Sequence, residues 1–304
     1  MRALSLLFFI ILIVNPLGLL AENLDDNSVI VELGRKLYFD TRLSLDKDIS
    51  CNSCHDLKNY GVDSLPTSPG HKGQLGDRNS PTVYNAALHI SQFWDGRAKD
   101  VEEQALGPVL NPVEMAMPAE DLVIERLGSD KEYPELFKKA FPKDEKPLNF
   151  INMGKAIGAF ERTLITTSRF DKWEAGDKSA LTAEEIAGFE KFKQTGCTIC
   201  HGGKLFGGNM YQKLGLVKAF KTEDTGRHKQ TGNEADKYFF KVPSLLNIAK
   251  TGPYFHDGSV KTLNEAVKIM GEYQLGKNLS DEDVKSIVIF LNSLTGDLPK
   301  EYAK

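Results

Sequence analysis

Apolar residues recur at helical spacing along most of the chain, and capping residues mark where the helices begin and end. Ile30, Leu33 and Leu37 share one face of a helix that precedes Cys51. Gly61 to Pro81 is rich in Gly, Pro and Ser, which predicts a long loop, and loops of that length usually have a functional reason. Helices are predicted over 119–127, where Gly128 gives a stop, and over 149–165, where Ile157, Phe160 and Leu164 share a face. The polar stretch from Thr166 to Ser179, with Arg169, Asp171, Lys172 and Asp177, predicts a domain junction. After it, Thr182-Ala183-Glu184-Glu185 forms a capping box that opens a helix carrying Ile186, Phe189 and Phe192. Ser280-Asp281-Glu282-Asp283 opens another, with Val284, Ile287, Val288, Leu291 and Leu294 on one face and Gly296 at the exit. Such stripes read as core, so the expected fold is mainly α.

The first residues follow a different pattern. Met1-Arg2, an apolar run from Leu4 to Val14, Asn15-Pro16 and a Leu-rich stretch to Ala21 match a secretory signal with cleavage after Ala21. Leu19 three residues before the cut is not the usual small residue, and an uncleaved anchor is the alternative. The mature protein is expected outside the bacterial cytoplasm, in the periplasm. The 304 residues suggest about two domains, each large enough for its own core. We divide the chain into a signal at 1–21, an N-terminal domain at 22–165 and a C-terminal domain at 166–304. Residues 1–21 carry only the Arg2 charge, so removing them takes the formal net charge from −4 to −5. That balance argues against nucleic acid as a partner.

All four cysteines fall in two pentapeptides, Cys51-Asn52-Ser53-Cys54-His55 and Cys197-Thr198-Ile199-Cys200-His201. C-x-x-C-H is a c-type haem attachment: two thiols one helical turn apart add to the two vinyl groups of one porphyrin, and the adjacent histidine reaches the iron. His55 and His201 are therefore the expected proximal ligands. Zinc knuckles place their cysteine pairs about 15–20 residues apart, and redox dithiols sit near βαβ patterns, so neither alternative fits well. No cysteine remains for a disulfide.

The sixth ligands decide function, because an iron with two strong axial ligands moves electrons and one with a displaceable ligand can bind peroxide. In the second half the available thioethers are Met210 and Met270. Met210 follows His201 too closely to cross easily to the opposite face, whereas Met270 is well placed just before the last helix. A His201/Met270 pair gives a high-potential haem. In the first half the histidines besides His55 are His71, in a Gly/Pro-rich segment, and His89, in an apolar run where packing is the plainer role.

Several blocks then resemble the bacterial di-haem cytochrome c peroxidases over essentially the whole mature chain. They are Asp77-Arg78-Asn79-Ser80-Pro81-Thr82, Phe93-Trp94-Asp95-Gly96-Arg97, Asn111-Pro112-Val113-Glu114-Met115, Thr251-Gly252-Pro253-Tyr254-Phe255-His256-Asp257-Gly258, and Met270 followed by Gln274-Leu275-Gly276. The resemblance implies two cytochrome c-like haem domains in one chain and reduction of H2O2 to water. The N-terminal haem is then peroxidatic, with His71 as its displaceable ligand and Glu114 and Gln104 in the distal pocket. The C-terminal haem takes electrons from a small c-type cytochrome or cupredoxin. Trp94 falls between the haems, Asn79, Thr251 and Pro253 match a calcium site, and a homodimer is implied. His256 falls in a matching block without an assigned role. A carboxylate at 114 suits the chemistry, since O–O cleavage needs a proton relayed to the departing oxygen. Two other readings are a di-haem electron carrier without peroxidase activity and a di-haem oxidase that matures a protein cofactor. The second uses a tyrosine where Met270 stands.

Overall fold

The computed structural model describes residues 28–303. The apolar N-terminal run and its cleavage site lie outside the described residues. In the first half, α1 (28–38) precedes α2 (Cys51–Cys54), and α3 (Val101–Gln104), α4 (Gly107–Leu110), α5 (Glu120–Gly128), α6 (Tyr133–Ala140) and α7 (Phe150–Glu161) follow. After β1 (Thr167–Ser168) come α8 (Arg169–Glu174), α9 (Ala183–Thr195), β2 (Tyr211–Lys213), α10 (His228–Thr231), β3 (Phe239–Lys241) and α11 (Leu263–Ile269). The last helix, α12 (Asp281–Ser293), leads into β4 (Gly296–Asp297). The strands form two small antiparallel pairs, β1 with β4 and β2 with β3, and Tyr211 lies opposite Lys241. The fold is mainly α, as the apolar stripes predict.

Two apolar clusters form the interior. Leu33, Leu37, Tyr38, Phe137, Ile157 and Phe160 belong to the first, which Tyr302 joins from the far end of the chain. Phe170, Phe192, Phe206, Ile287, Phe290 and Leu291 belong to the second. α1 crosses α7 in the first as α9 crosses α12 in the second. A Cβ on Gly34 would lie 1.8 Å from the Ala156 carbonyl oxygen, and one on Gly188 would lie 2.2 Å from that of Ser286. Each crossing glycine also faces a phenylalanine Cβ, that of Phe160 or Phe290. Only a residue without a side chain lets the backbones approach this closely.

Two expectations are modified. The helix expected over 149–165 starts on its Asn149 cap but ends at Glu161. Thr163 to Thr166 leave the helix because Asn85 holds them: its amide N–H donates to Leu164 O, and its Oδ1 accepts from Thr166 N. The stretch read as a junction contains α8, capped by Ser168 and Asp171. Its polar residues are the outer face of a short helix. Phe170 is its buried face and packs edge-on against Phe189, Phe206 and Phe290.

A duplication beyond the haem motifs is visible in the backbone. Asn85 and Asn247 are both left-handed, with φ of 62° and 61°, and each caps a short 3-10 turn. Their side-chain amides converge on one hydroxyl, Thr166 Oγ1, at 2.9 and 3.0 Å. Phe93-Trp94-Asp95-Gly96 and Phe255-His256-Asp257-Gly258 are likewise equivalent turns. Each begins with a phenylalanine at positive φ and is closed by a single bridge, Gln92 to Ala98 and Tyr254 to Val260. Bulky residues rarely adopt that conformation, and such strain collects at functional sites. His256 is therefore the counterpart of Trp94.

Candidate redox site

The first motif lines a cavity together with Gln104, Asn111, Glu114, Trp94 and Glu161, enclosing about 1780 Å3 of space that is partly open to solvent. Ser50 and Ser53 cap α2 reciprocally, fixing the turn that carries both thiols. His55 follows at the end of α2, and Tyr38 donates to its carbonyl at 2.7 Å. Burial holds the His55 imidazole below its ordinary pKa, so the ring is neutral and able to ligate iron. Burial also pushes up the Cys51 and Cys54 thiols, and it pushes the Cys197 thiol up to about 11. Thiols held protonated in this way do not make a reactive dithiol pair.

Glu114 is placed by the Asn111–Ala116 turn, and Asn111 Nδ2 donates to its Oε1 at 2.9 Å. Burial raises its pKa, against the smaller opposing effects of Arg97 and Asn111. The carboxyl therefore holds a proton more readily than a surface glutamate. Gln104 ends α3 and lines the same cavity. Glu161, raised to about 8 by burial and by Glu102, is protonated at neutral pH.

His71 does not line this cavity. Its ring lies 3.5 Å from Asp46 Oδ2, and its backbone N–H donates to the carbonyls of Val113 and Glu114. The turn is fitted to the Glu114 segment, since a Cβ on Gly70 would lie 2.0 Å from Val113 O. The expected long loop is thus real, but its middle is a tight turn, His71–Gly73, closed by a bridge between Pro69 and Leu75.

The second motif lines a more apolar cavity of about 1790 Å3, again partly open, with Met270, Leu291, Ile287 and Leu245 in its wall. His201 Nδ1 lies 3.0 Å from the Phe206 carbonyl, an acceptor only, so Nδ1 carries the hydrogen and Nε2 offers its lone pair. Met270 begins a π-turn, Met270–Gln274, at the end of α11 and lines the same cavity. Paired thiols, a tautomer-fixed histidine and an apolar cavity fit a covalently bound haem at this motif. The neutral histidine, paired thiols and cavity of the first motif fit a second one.

Trp94 lines both cavities, and its Nε1–H donates to Asn79 O at 2.9 Å. Asn79 Nδ2 donates to Leu65 O, and its backbone N–H donates to His256 O. Asn79, Thr251 and Pro253 all line the second cavity. The side-chain amide oxygen of Asn79 and the backbone carbonyls of Thr251 and Pro253 are a donor set that suits a hard cation. His256 Nε2 lies 2.9 Å from Thr222 Oγ1, and its ring packs on Phe240.

Sequence reasoning missed a charged clamp between the halves. Arg78 bonds Asp95 at 2.7 Å and Asp224 at 2.6 Å, and Gln230 adds a contact to Asp95. Burial opposes ionisation of both carboxyls, but their cationic partners outweigh it and hold both pKa values low. Arg78→Ala is expected to cost about 3–5 kcal/mol, the usual loss when a buried pair is broken. Because the folded pKa values are depressed, the clamp stabilises fully above the unfolded carboxylate pKa of about 4 and is lost as pH falls through the folded values. Acid unfolding of the variant should therefore show less of that low-pH loss, measured by circular dichroism. Arg78 and Asp95 stand in motif blocks, but only the fold reveals Asp224 as their partner.

Two adjoining haem-attachment cavities that share a wall including Trp94, in a chain whose turns repeat, define a class of di-haem c-type redox proteins. The family profile described as di-haem cytochrome c peroxidase matches residues 28–179, and the chain belongs to that family. It is similar to the cytochrome c551 peroxidase of Nitrosomonas europaea, 49% identical over 277 residues that cover 90% of this chain and 82% of that protein. The cytochrome c551 peroxidase of Pseudomonas aeruginosa is 49% identical over 275 residues, 88% of this chain and 79% of that protein. A crystal structure of a MauG-like protein associated with microbial copper homeostasis superposes with a TM-score of 0.82 at 27% identity, covering 91% and 92% of the two chains. The chain is accordingly an enzyme, a peroxidase with two haem c groups.

Proposed function

We propose that the chain reduces H2O2 to water in the periplasm with electrons from a small c-type cytochrome or cupredoxin. In this reading residues 22–165 hold the peroxidatic haem on His55, and residues 166–304 hold the electron-accepting haem on His201 and Met270. His71 is the displaceable ligand of the first, and Asn79, Thr251 and Pro253 hold a calcium ion at the junction of a chain that works as a homodimer. When bound, the haems would supply the two electrons that peroxide takes up and the iron to which it binds. Glu114 takes the proton of the inner peroxide oxygen and returns it to the departing one, while Asn111 fixes the carboxyl and Gln104 orients the substrate by hydrogen bonding. Trp94 links the two cavities as a route for electrons.

The observation that carries this reading is the half-buried Glu114 carboxyl lining the Cys51–His55 cavity beside Gln104, with His71 turned to Asp46. Stopped-flow mixing of the fully oxidised and half-reduced holoprotein with H2O2, with electron paramagnetic resonance on both, tests it. Fast reaction confined to the half-reduced form, with a new high-spin haem, identifies His71 as a gate released by reduction. Equal rates in both forms would remove that gating role.

A further inference from the structure

Lys241 and His89 form a polar pair that the mechanism does not use. Lys241 is 7% exposed, on β3, and lines the second cavity. Its Nζ donates to Ser91 O at 2.8 Å and lies 3.2 Å from His89 Nδ1. Both partners are uncharged, and among the described residues no carboxylate lies within ion-pair reach. An ammonium has three donors and no lone pair, so His89 Nδ1 must accept from it and the ring hydrogen must sit on Nε2. That Nε2 is buried without a hydrogen-bond partner, and His89 lines the same cavity. The ring is confined there because a Cβ on Gly208 would lie 2.6 Å from His89 Cδ2. Two unmet donors, one on a cation, therefore border one cavity.

Burying an unpaired charge is costly, and burial draws the Lys241 pKa down to about 8 against a weaker opposing effect of Asp95. The cost disappears if an anion completes the site. We infer that Lys241 Nζ and His89 Nε2–H form a carboxylate-binding site for a propionate side chain of the haem attached at Cys197 and Cys200. Lys241 is then a positioning residue that also sets the potential of that haem, because its charge offsets the propionate and favours the ferrous state. The site straddles the two halves next to the bridging tryptophan: His89 comes from the first, Lys241 from the second, and Lys241 N donates to Trp94 O at 2.8 Å.

The inference rests on the reading of a His201/Met270 haem in this cavity. The test is a redox titration of holoprotein followed by absorption, on wild type, Lys241→Met and Lys241→Arg. In Lys241→Met the ferrous-to-ferric ratio of the second haem at fixed potential should fall about tenfold, which is ~59 mV for a one-electron couple. Lys241→Arg should restore most of that shift. An unchanged potential in Lys241→Met, with the sulfur-to-iron charge-transfer band intact, overturns the inference and leaves the haem reading standing. Absence of that band in wild type overturns the His201/Met270 ligation on which the inference rests. Resonance Raman of wild type is a second measure should Lys241→Met fail to assemble. A propionate bending mode shifted from that of a solvated propionate, and sensitive to deuteration, supports the site; unshifted modes overturn it.

Discussion

Glu114→Gln should nearly abolish peroxide turnover while leaving both haem spectra in place. Glutamine matches glutamate in size and still accepts from Asn111 Nδ2 at the position of Oε1, so the turn that carries residue 114 has no reason to move. The amide cannot take up and return a proton, and a positioned acid–base group is worth about 10²–10⁴ in rate. The loss should appear in the bimolecular rate of H2O2 with the half-reduced enzyme. The pH dependence follows from the same environment. Burial raises the Glu114 pKa, and only the deprotonated carboxylate accepts the peroxide proton. The wild-type rate should therefore fall as pH drops through that raised pKa, and the remaining rate in Glu114→Gln should lose this limb. Near-normal kinetics in the variant would remove Glu114 from the proton path.

How much of this was legible beforehand depends on whether a residue acts locally or through distant contacts. The cysteine pairs, His55 and His201 declare themselves by spacing, α9 by its capping box, α12 by its Ser280 cap, and both helices by their apolar faces. Glu114, Gln104 and His71 have no such local signature and were recognised only by resemblance. Long-range partnership was not legible. Arg78 and Asp224 are 146 positions apart, Lys241 and His89 are 152 apart, and neither pair carries periodicity or motif spacing. α8 within the 166–179 stretch was not legible for a related reason: one buried residue, Phe170, on a six-residue helix gives no periodic signal, whereas its charged neighbours resemble a linker. Outside the paired haem motifs the duplication is not legible in residue identity, because it repeats as backbone shape. Two left-handed asparagines and two strained phenylalanine turns repeat while the residues around them, Trp94 and His256 among them, differ.

Met270→His should produce the second large effect, a fall in the potential of the haem at Cys197 and Cys200 that stops electron entry. Thioether sulfur favours ferrous iron, whereas a second imidazole favours ferric iron. Axial ligation spans about 0.8 V in haem proteins, and an exchange of this kind is expected to use on the order of 0.2 V of it. At ~59 mV per decade for one electron, that makes the reduced state more than a thousandfold less populated at a fixed donor potential. The fold keeps residue 270 in place for the substitution. Gln274 accepts from the backbone N–H groups of Gly215 and Leu216 and donates to Lys213 O, which ties the π-turn to β2. A Cβ on Gly271 would lie 2.8 Å from Leu279 Cγ, so the turn is also packed from its other side. Spectra of Met270→His should therefore keep a six-coordinate second haem, while a donor that reduces wild type no longer does so. Peroxide reactivity should then disappear for that donor and return with a chemical reductant strong enough to reduce the altered haem. An unchanged potential would mean that Met270 is packing and that another group completes this iron.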